Sequence, residues 1–314
     1  ADFVMDQQPV PAWAVPVMGD VRMIPGGLYL VEYAPAGADP ASVSVERGWA
    51  YGQALLEAGQ IAAALQHLNR VVDQSPRDPE ALLAFADALR QGERFADALR
   101  VLDAAEQIMA DDPRVHLLRA NVLVSRGESS AAIPIVERAS GLPIPAGRRW
   151  DIANAYLELG RSFNQQRQWA QAIAVLERSM EIDERNPVRP RLILGFAQER
   201  LGRMDAAVDT YLAAWRARPS NAEPLVRAGL VLARAGDLVQ AEQLMRRAVT
   251  VAERSRSEPH MLYAWLNLGQ VHAAQEQWTD ARRAFERVLE IDPDHADARD
   301  LLDELDARAG PDQP

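Results

Sequence analysis

The chain has 314 residues, of which 48% are hydrophobic and 25% charged, with 45 acids against 34 bases and a formal net charge of −11. Cysteine is absent and every basic residue is arginine, so lysine is absent too. These absences exclude a disulfide, a thiolate nucleophile, Cys-ligated zinc, an iron–sulfur cluster, and a P-loop or Schiff-base lysine, while the acidic balance argues against general nucleic-acid binding.

From the N-terminus, residues 1–44 show no helical period. They hold six prolines (Pro9, Pro11, Pro16, Pro25, Pro35, Pro40) and four glycines. Ile24-Pro25-Gly26-Gly27 is a turn signal between Val21–Ile24 and Leu28–Tyr33, so this arm can form a small β-hairpin. Its apolar side chains, Trp13, Met18, Met23, Leu28, Tyr29, Leu30 and Tyr33 among them, are too many for a solvated linker. They are expected either to lie along the neighbouring helices or to dock on a partner or neighbouring subunit. The chain starts at Ala1, with no basic segment leading into an apolar core. No stretch approaches the ~20 apolar residues that cross a bilayer. The expectation is a bacterial periplasmic or envelope protein from which a leader has been removed, not itself membrane-spanning, with a cytoplasmic protein as the alternative.

From residue 45 a pattern recurs. Gly52, Gly59, Ala64 and Leu68 are followed by Ala86, Ala98 and Leu102, then by Ala120, Gly127 and Ala132. Further on come Leu159-Gly160, Phe163, Trp169, Ala172 and Leu176; then Leu194-Gly195, Gly202, Ala207 and Tyr211; then Ala228-Gly229, Gly236 and Ala241. The last copy is Trp265, Leu268-Gly269, Trp278, Ala281, Phe285 and Asp292-Pro293. A glycine that recurs inside a helix costs about 1 kcal/mol relative to alanine, so its recurrence implies a tight helix crossing. Turn residues between two amphipathic segments imply short helical hairpins. The units phase as 45–78, 79–112, 113–146, 153–186, 188–221, 222–255 and 262–295. The pattern resembles the tetratricopeptide repeat, a 34-residue helix–turn–helix unit. The resemblance implies an all-α, right-handed superhelical solenoid of about seven hairpins, with a small residue at position 8, alanine at 20 and a small residue at 27. Repeat 2 departs with Ala86 and with Gly92 one place early, and repeat 3 has Arg119 where a large apolar residue is usual.

Two gaps interrupt the register. Ser140–Gly147 contains two glycines and two prolines, which cannot continue a helix, so the chain is expected to divide into 45–146 and 147–295. The second gap, near Arg256–His260, should lengthen the second helix of repeat 6 and the loop after it. Residues 296–314 read as a capping helix and tail, with Leu301, Leu302 and Leu305 as its apolar stripe and an acidic outer face. The arm and the C-terminal segment each carry a net charge of −4, whereas the repeats are nearly balanced.

Within the resemblance, the first helix of each repeat lines a concave wall, and its positions 2, 5, 9, 12 and 13 face a groove. In repeats 3–5 these positions include Asn121, Asn154, Leu157, Arg161, Asn164, Arg189, Leu192, Phe196 and Arg200. Apolar residues interleaved with arginines can hold a peptide, apolar pockets supplying affinity and guanidiniums taking acidic or backbone oxygens. Equally, Leu117, Leu157 and Leu192 can be helix–helix contacts and the arginines a solvated face. The clamp with which some members grip a C-terminal carboxylate is incomplete here. Asn121 fits it, but Leu117 and Glu158 stand where a lysine and an asparagine are needed.

Catalytic chemistry is not indicated. None of the histidines pairs at helical spacing with another, and Asp292-Pro293-Asp294-His295 lacks the glycine and distal glutamate of a calcium loop. His116 and His272, with Trp169, Trp265 and Trp278, fall at positions the family uses for its core. The sequence therefore points to a scaffold without cofactor or metal that binds a protein or peptide. It is read as a structural or accessory subunit of a larger complex, membrane-associated in the sharper version, with a transient assembly chaperone as the alternative.

Overall fold

The structure is a computed structural model that describes residues 14–16, 22–24, 28–30, 33–35, 40–144, 148–183 and 188–309, with side chains described within 49–307. The chain divides into two compact units, residues 1–148 and 149–314.

The first unit opens with four short strands in two antiparallel pairs. Strand β1 (Ala14–Pro16) pairs with β4 (Tyr33–Pro35), and β2 (Arg22–Ile24) pairs with β3 (Leu28–Leu30) in the register Arg22↔Leu30 and Ile24↔Leu28. Six helices follow: α1 (Pro40–Glu57), α2 (Ile61–Gln74), α3 (Pro79–Gln91), α4 (Phe95–Ile108), α5 (Pro113–Ser125) and α6 (Ser129–Ser140). Helix α1 starts ahead of the boundary at 45 read from the repeat, because Pro40 carries a φ already suited to the first helical turn. The starts of α3 and α5 use the same device with a cap added. Pro79 and Pro113 open the helices, while Asp78 accepts hydrogen bonds from the Glu80 and Ala81 amides and Asp112 from the Arg114 amide.

The second unit holds α7 (Arg149–Gln165), α8 (Trp169–Ile182), α9 (Val188–Arg200), α10 (Met204–Ala217), α11 (Glu223–Arg234), α12 (Leu238–Ser255), α13 (Glu258–Ala274), α14 (Trp278–Ile291) and α15 (Ala296–Ala309). In each unit consecutive helices pack as hairpins, and the first helix of one hairpin also touches the first helix of the next. Around Arg256–His260 the register gap lengthens helices and leaves the loop short. Helix α12 runs 18 residues against 14 in α8 and α10, and α13 starts at Glu258 after the left-handed Arg256.

Three recurrent positions hold each hairpin together. Position 20 is Ala64, Ala98, Ala132, Ala172, Ala207, Ala241 and Ala281, all fully buried. Position 8 lies against position 24. Where position 8 is glycine, a large side chain (Leu68, Leu176, Tyr211, Met245, Phe285) occupies the space a β-carbon would take. Where it is alanine (Ala86, Ala120), position 24 is Leu102 or Val136, also fully buried. At position 15 the backbone turns left-handed in all seven hairpins, at Gly59, Glu93, Gly127, Arg167, Gly202, Gly236 and Glu276. In repeat 2 the early Gly92 keeps an ordinary negative φ and Glu93 takes the turn.

The misfit at Arg119 resolves through charge. Its guanidinium reaches back to α4, donating to Asp103 at 2.7 Å and to Glu106 at 2.9 Å. His116 and His272 are buried; His116 Nε2 donates to the Ala110 carbonyl, and His272 bonds the Gln277 side chain. Trp169, Trp265 and Trp278 are half-buried rather than enclosed. The terminal helix α15 buries Ala298 and Leu305, while Leu301 and Leu302 pack partly against Ala281 and Phe285. Its acids Asp297, Asp300, Asp303, Glu304 and Asp306 remain exposed. No described helix is long and apolar enough to cross a membrane.

Candidate peptide-binding surface

In the first unit, the face made by the first helices of the hairpins is laced by ion pairs. Arg114 on α5 bonds both oxygens of Asp112 and reaches Glu80 of α3 at 2.7 Å. Partial burial works against the Asp112 charge, yet the Arg114 guanidinium and backbone amide hold its carboxyl below the usual range. Arg90 is paired with Asp87 at 2.7 Å. Asn121 is half-buried on α5, and Leu117 is 9% exposed, so it packs rather than presents a surface.

In the second unit the corresponding face is built by α7, α9 and α11. Leu157 is 4% exposed, which removes it from the expected groove: it is a packing residue of α7. Asn164 is also packed away, and its Nδ2 donates to the Ile193 carbonyl at 3.2 Å, tying α7 to α9. Leu192 is half-buried against Ala207, Tyr211, Ala228 and Val231. The residues that do reach the surface are Asn154, Arg161, Arg189, Phe196 and Arg200.

The arginines on this face are distributed unevenly. Arg161 and Arg189 converge on one carboxylate, Glu158, at 3.3 and 3.5 Å. Arg227 takes Glu223 at 3.2 Å, and Arg234 of α11 reaches back to Glu199 of α9, whose side chain is only 8% exposed. Arg200 instead lies over the ring of Trp169, 5.7 Å from its centre, and Trp169 meets Phe196 edge-on at 5.9 Å. From the sequence, the repeat position of Trp169 points to the core and Glu158 reads only as a departure from a clamp. The spacing between adjacent hairpins is the signal for the ion pairs, since Glu158 and Arg189 lie 31 residues apart and Glu199 and Arg234 lie 35 apart.

A concavity of about 420 Å³ is formed by α12, α13 and α14 and lined by Arg246, Trp265, His272, Arg283 and Arg287 among others. Its cations are locally matched: Arg246 pairs with Glu242, Arg283 lies 3.7 Å from Asp280, and Arg287 pairs with Glu290. It therefore offers no uncompensated charge of the kind seen at Arg200.

The arm residues expected to dock are not placed. Trp13 and Met18 lie outside the described residues. Met23, Leu28, Tyr29, Leu30 and Tyr33 belong to the strands, but their side chains lie outside what is described.

Three family models match the chain, each described as a tetratricopeptide repeat: over residues 55–122, 155–189 and 220–304, together more than half its length. No curated protein sequence matches it. Among solved structures, the C-terminal part of a TPR repeat-containing protein from Cytophaga hutchinsonii is 15% identical with a TM-score of 0.62, covering 81% of this chain and 99% of that one. A tetratricopeptide repeat protein from Parabacteroides merdae is 16% identical with a TM-score of 0.47, covering 83% and 98%. YrrB, described as a TPR protein with an unusual peptide-binding site, is 20% identical with a TM-score of 0.44, covering 63% and 96%. At these identities the likeness is one of fold alone.

Proposed function

Because the chain belongs to the tetratricopeptide repeat family, whose repeats are protein–protein interaction scaffolds, we propose that it is a structural or accessory subunit holding a protein partner of a larger, envelope-associated complex. The binding surface in this reading is the first-helix face of the second unit, from Asn154 and Arg161 on α7 to Arg189, Phe196 and Arg200 on α9.

The observation that carries the reading is Phe196. It is a large apolar side chain left 37% exposed on that face, in edge contact with Trp169 and one helical turn from Arg200. Aromatic and arginine side chains at the centre of a surface are the usual anchors of an interface. Short, rigid helices fix them before the partner arrives, so little ordering cost falls on this side of the contact. The fold is one that typically works without catalysis, and the site offers recognition rather than a nucleophile or an acid–base pair.

Affinity capture with the full chain tests the proposal, run beside Phe196→Ala and Arg200→Gln variants shown by circular dichroism to fold. A partner recovered at fixed stoichiometry, in envelope fractions, and lost with both variants supports the subunit. Substoichiometric, salt-sensitive recovery of several proteins favours an assembly chaperone. A partner whose recovery neither substitution changes contradicts the assignment of the surface.

A further inference from the structure

Phe196 and Arg200 stand four residues apart on α9, so they share one side of the helix and are separated by about 6 Å along its axis. Of the six large apolar side chains left exposed among the described residues, three (Phe196, Leu201 and Met204) fall within 196–204. They occupy the end of α9, the turn after it and the start of α10. Arg200 lies within this stretch.

Its charge is the exception on this face. Arg161 and Arg189 share Glu158, Arg227 has Glu223, and Arg234 has Glu199. Among the described residues Arg200 has no carboxylate partner. Its contact is the flat face of Trp169, at 5.7 Å, which positions the guanidinium without neutralising it. In a chain with a net charge of −11, Arg200 thus stands without a carboxylate one helical turn from the exposed Phe196. The complementary ligand carries an apolar group and an anion at fixed separation.

Resting on the reading of this face as a peptide-binding surface, we infer that its ligand is an extended segment bearing a large apolar side chain and, two residues further on, an aspartate or glutamate. Alternate side chains of an extended strand point the same way and lie about 6.6 Å apart, which matches the rise from Phe196 to Arg200. The apolar side chain packs on Phe196. The carboxylate takes the edge of the Arg200 guanidinium, whose planar fork can make two parallel hydrogen bonds while its face stays on Trp169. A solvated arginine–carboxylate pair contributes little alone, so the neighbouring apolar contact is what makes the pair selective.

Fluorescence anisotropy tests this with labelled Gly/Ser-rich peptides carrying Leu-x-Glu, Leu-x-Gln, Ser-x-Glu or Leu-x-Arg, titrated with the full chain. The unmodified chain should bind Leu-x-Glu about tenfold more tightly than Leu-x-Gln or Ser-x-Glu, the scale of a hydrogen bond to a charged group. Arg200→Gln should abolish the preference for glutamate, and Arg200→Glu should transfer it to Leu-x-Arg. Arg178→Gln, on α8 and already paired with Glu181 at 2.6 Å, should change affinity less than about twofold. Equal binding of Leu-x-Glu and Leu-x-Gln overturns the inference. So does failure of all four peptides to bind. In either case, a native partner whose capture still depends on Phe196 keeps the broader reading alive; loss of that dependence as well removes both.

Discussion

Gly269 and Phe285 interlock so closely that a β-carbon on the glycine would stand 2.4 Å from Phe285 Cε1. The same relation joins Gly52 to Leu68, Gly160 to Leu176, Gly195 to Tyr211 and Gly229 to Met245. Gly269→Ala should therefore destabilise the second unit by about 2–3 kcal/mol, because the buried ring has no free direction to move. Gly229→Ala should cost less, since the atom it meets is the end of flexible Met245. Urea unfolding midpoints of the two variants give the comparison, and equal shifts would count against the packing account.

The turn at position 15 makes an independent prediction. Glu93, Arg167 and Glu276 hold left-handed backbone at φ values of 57°, 59° and 60°. Replacing each with glycine should stabilise the fold by about 0.5–1 kcal/mol, the relief of the left-handed conformation less glycine's greater freedom when unfolded. Gly127→Ala and Gly202→Ala should destabilise by about 1 kcal/mol although the space around both is open, because the cost lies in the backbone. Thermal melts of the five variants separate the two directions.

Acid should act first on the carboxylates whose charge arginines hold in place. Asp112 has its carboxyl held low by Arg114, and Glu242 has its carboxyl held low by Arg246 and Gln275 despite partial burial. A lowered folded-state pKa means the stabilisation is fully present above the unfolded value, 3.8 for Asp112 and 4.5 for Glu242, and is lost as pH falls through the folded value. Stability should be flat from neutral pH to about 5 and fall below it. Asp112→Ala, which removes the cap and the pair together, should cost about 1–2 kcal/mol at pH 7 and less at pH 3. An equal cost at both pH values would show that the ion pair contributes nothing.

The rung between Glu199 and Arg234 should be worth more than an ordinary surface pair, because the Glu199 side chain is only 8% exposed. Arg234→Gln should destabilise by about 1–2 kcal/mol, and the double variant with Glu199→Gln should recover part of that loss. A double-mutant cycle on unfolding midpoints measures the coupling; additive losses would rule the rung out.

The hairpins were legible because their determinants are local and recur. Gly269 with Phe285, and Ala281 between them in sequence, announce a helix crossing without any knowledge of the rest of the chain. The sites of binding were less legible. Leu157 occupies a groove position in the repeat yet is packed away, since burial depends on how the neighbouring hairpin sits. Glu158 looked like a defect in a clamp and proves to hold two arginines from adjacent helices. Arg200 could be singled out only once the partners of Arg161, Arg189 and Arg234 were known.

Amide hydrogen exchange on the full chain, with and without its captured partner, tests the central claim most directly. Slowed exchange in α7, in α9 and through the Leu201–Arg203 turn is the predicted result. Protection confined to the second helices α8, α10, α12 and α14, with α9 and its turn unchanged, would contradict it.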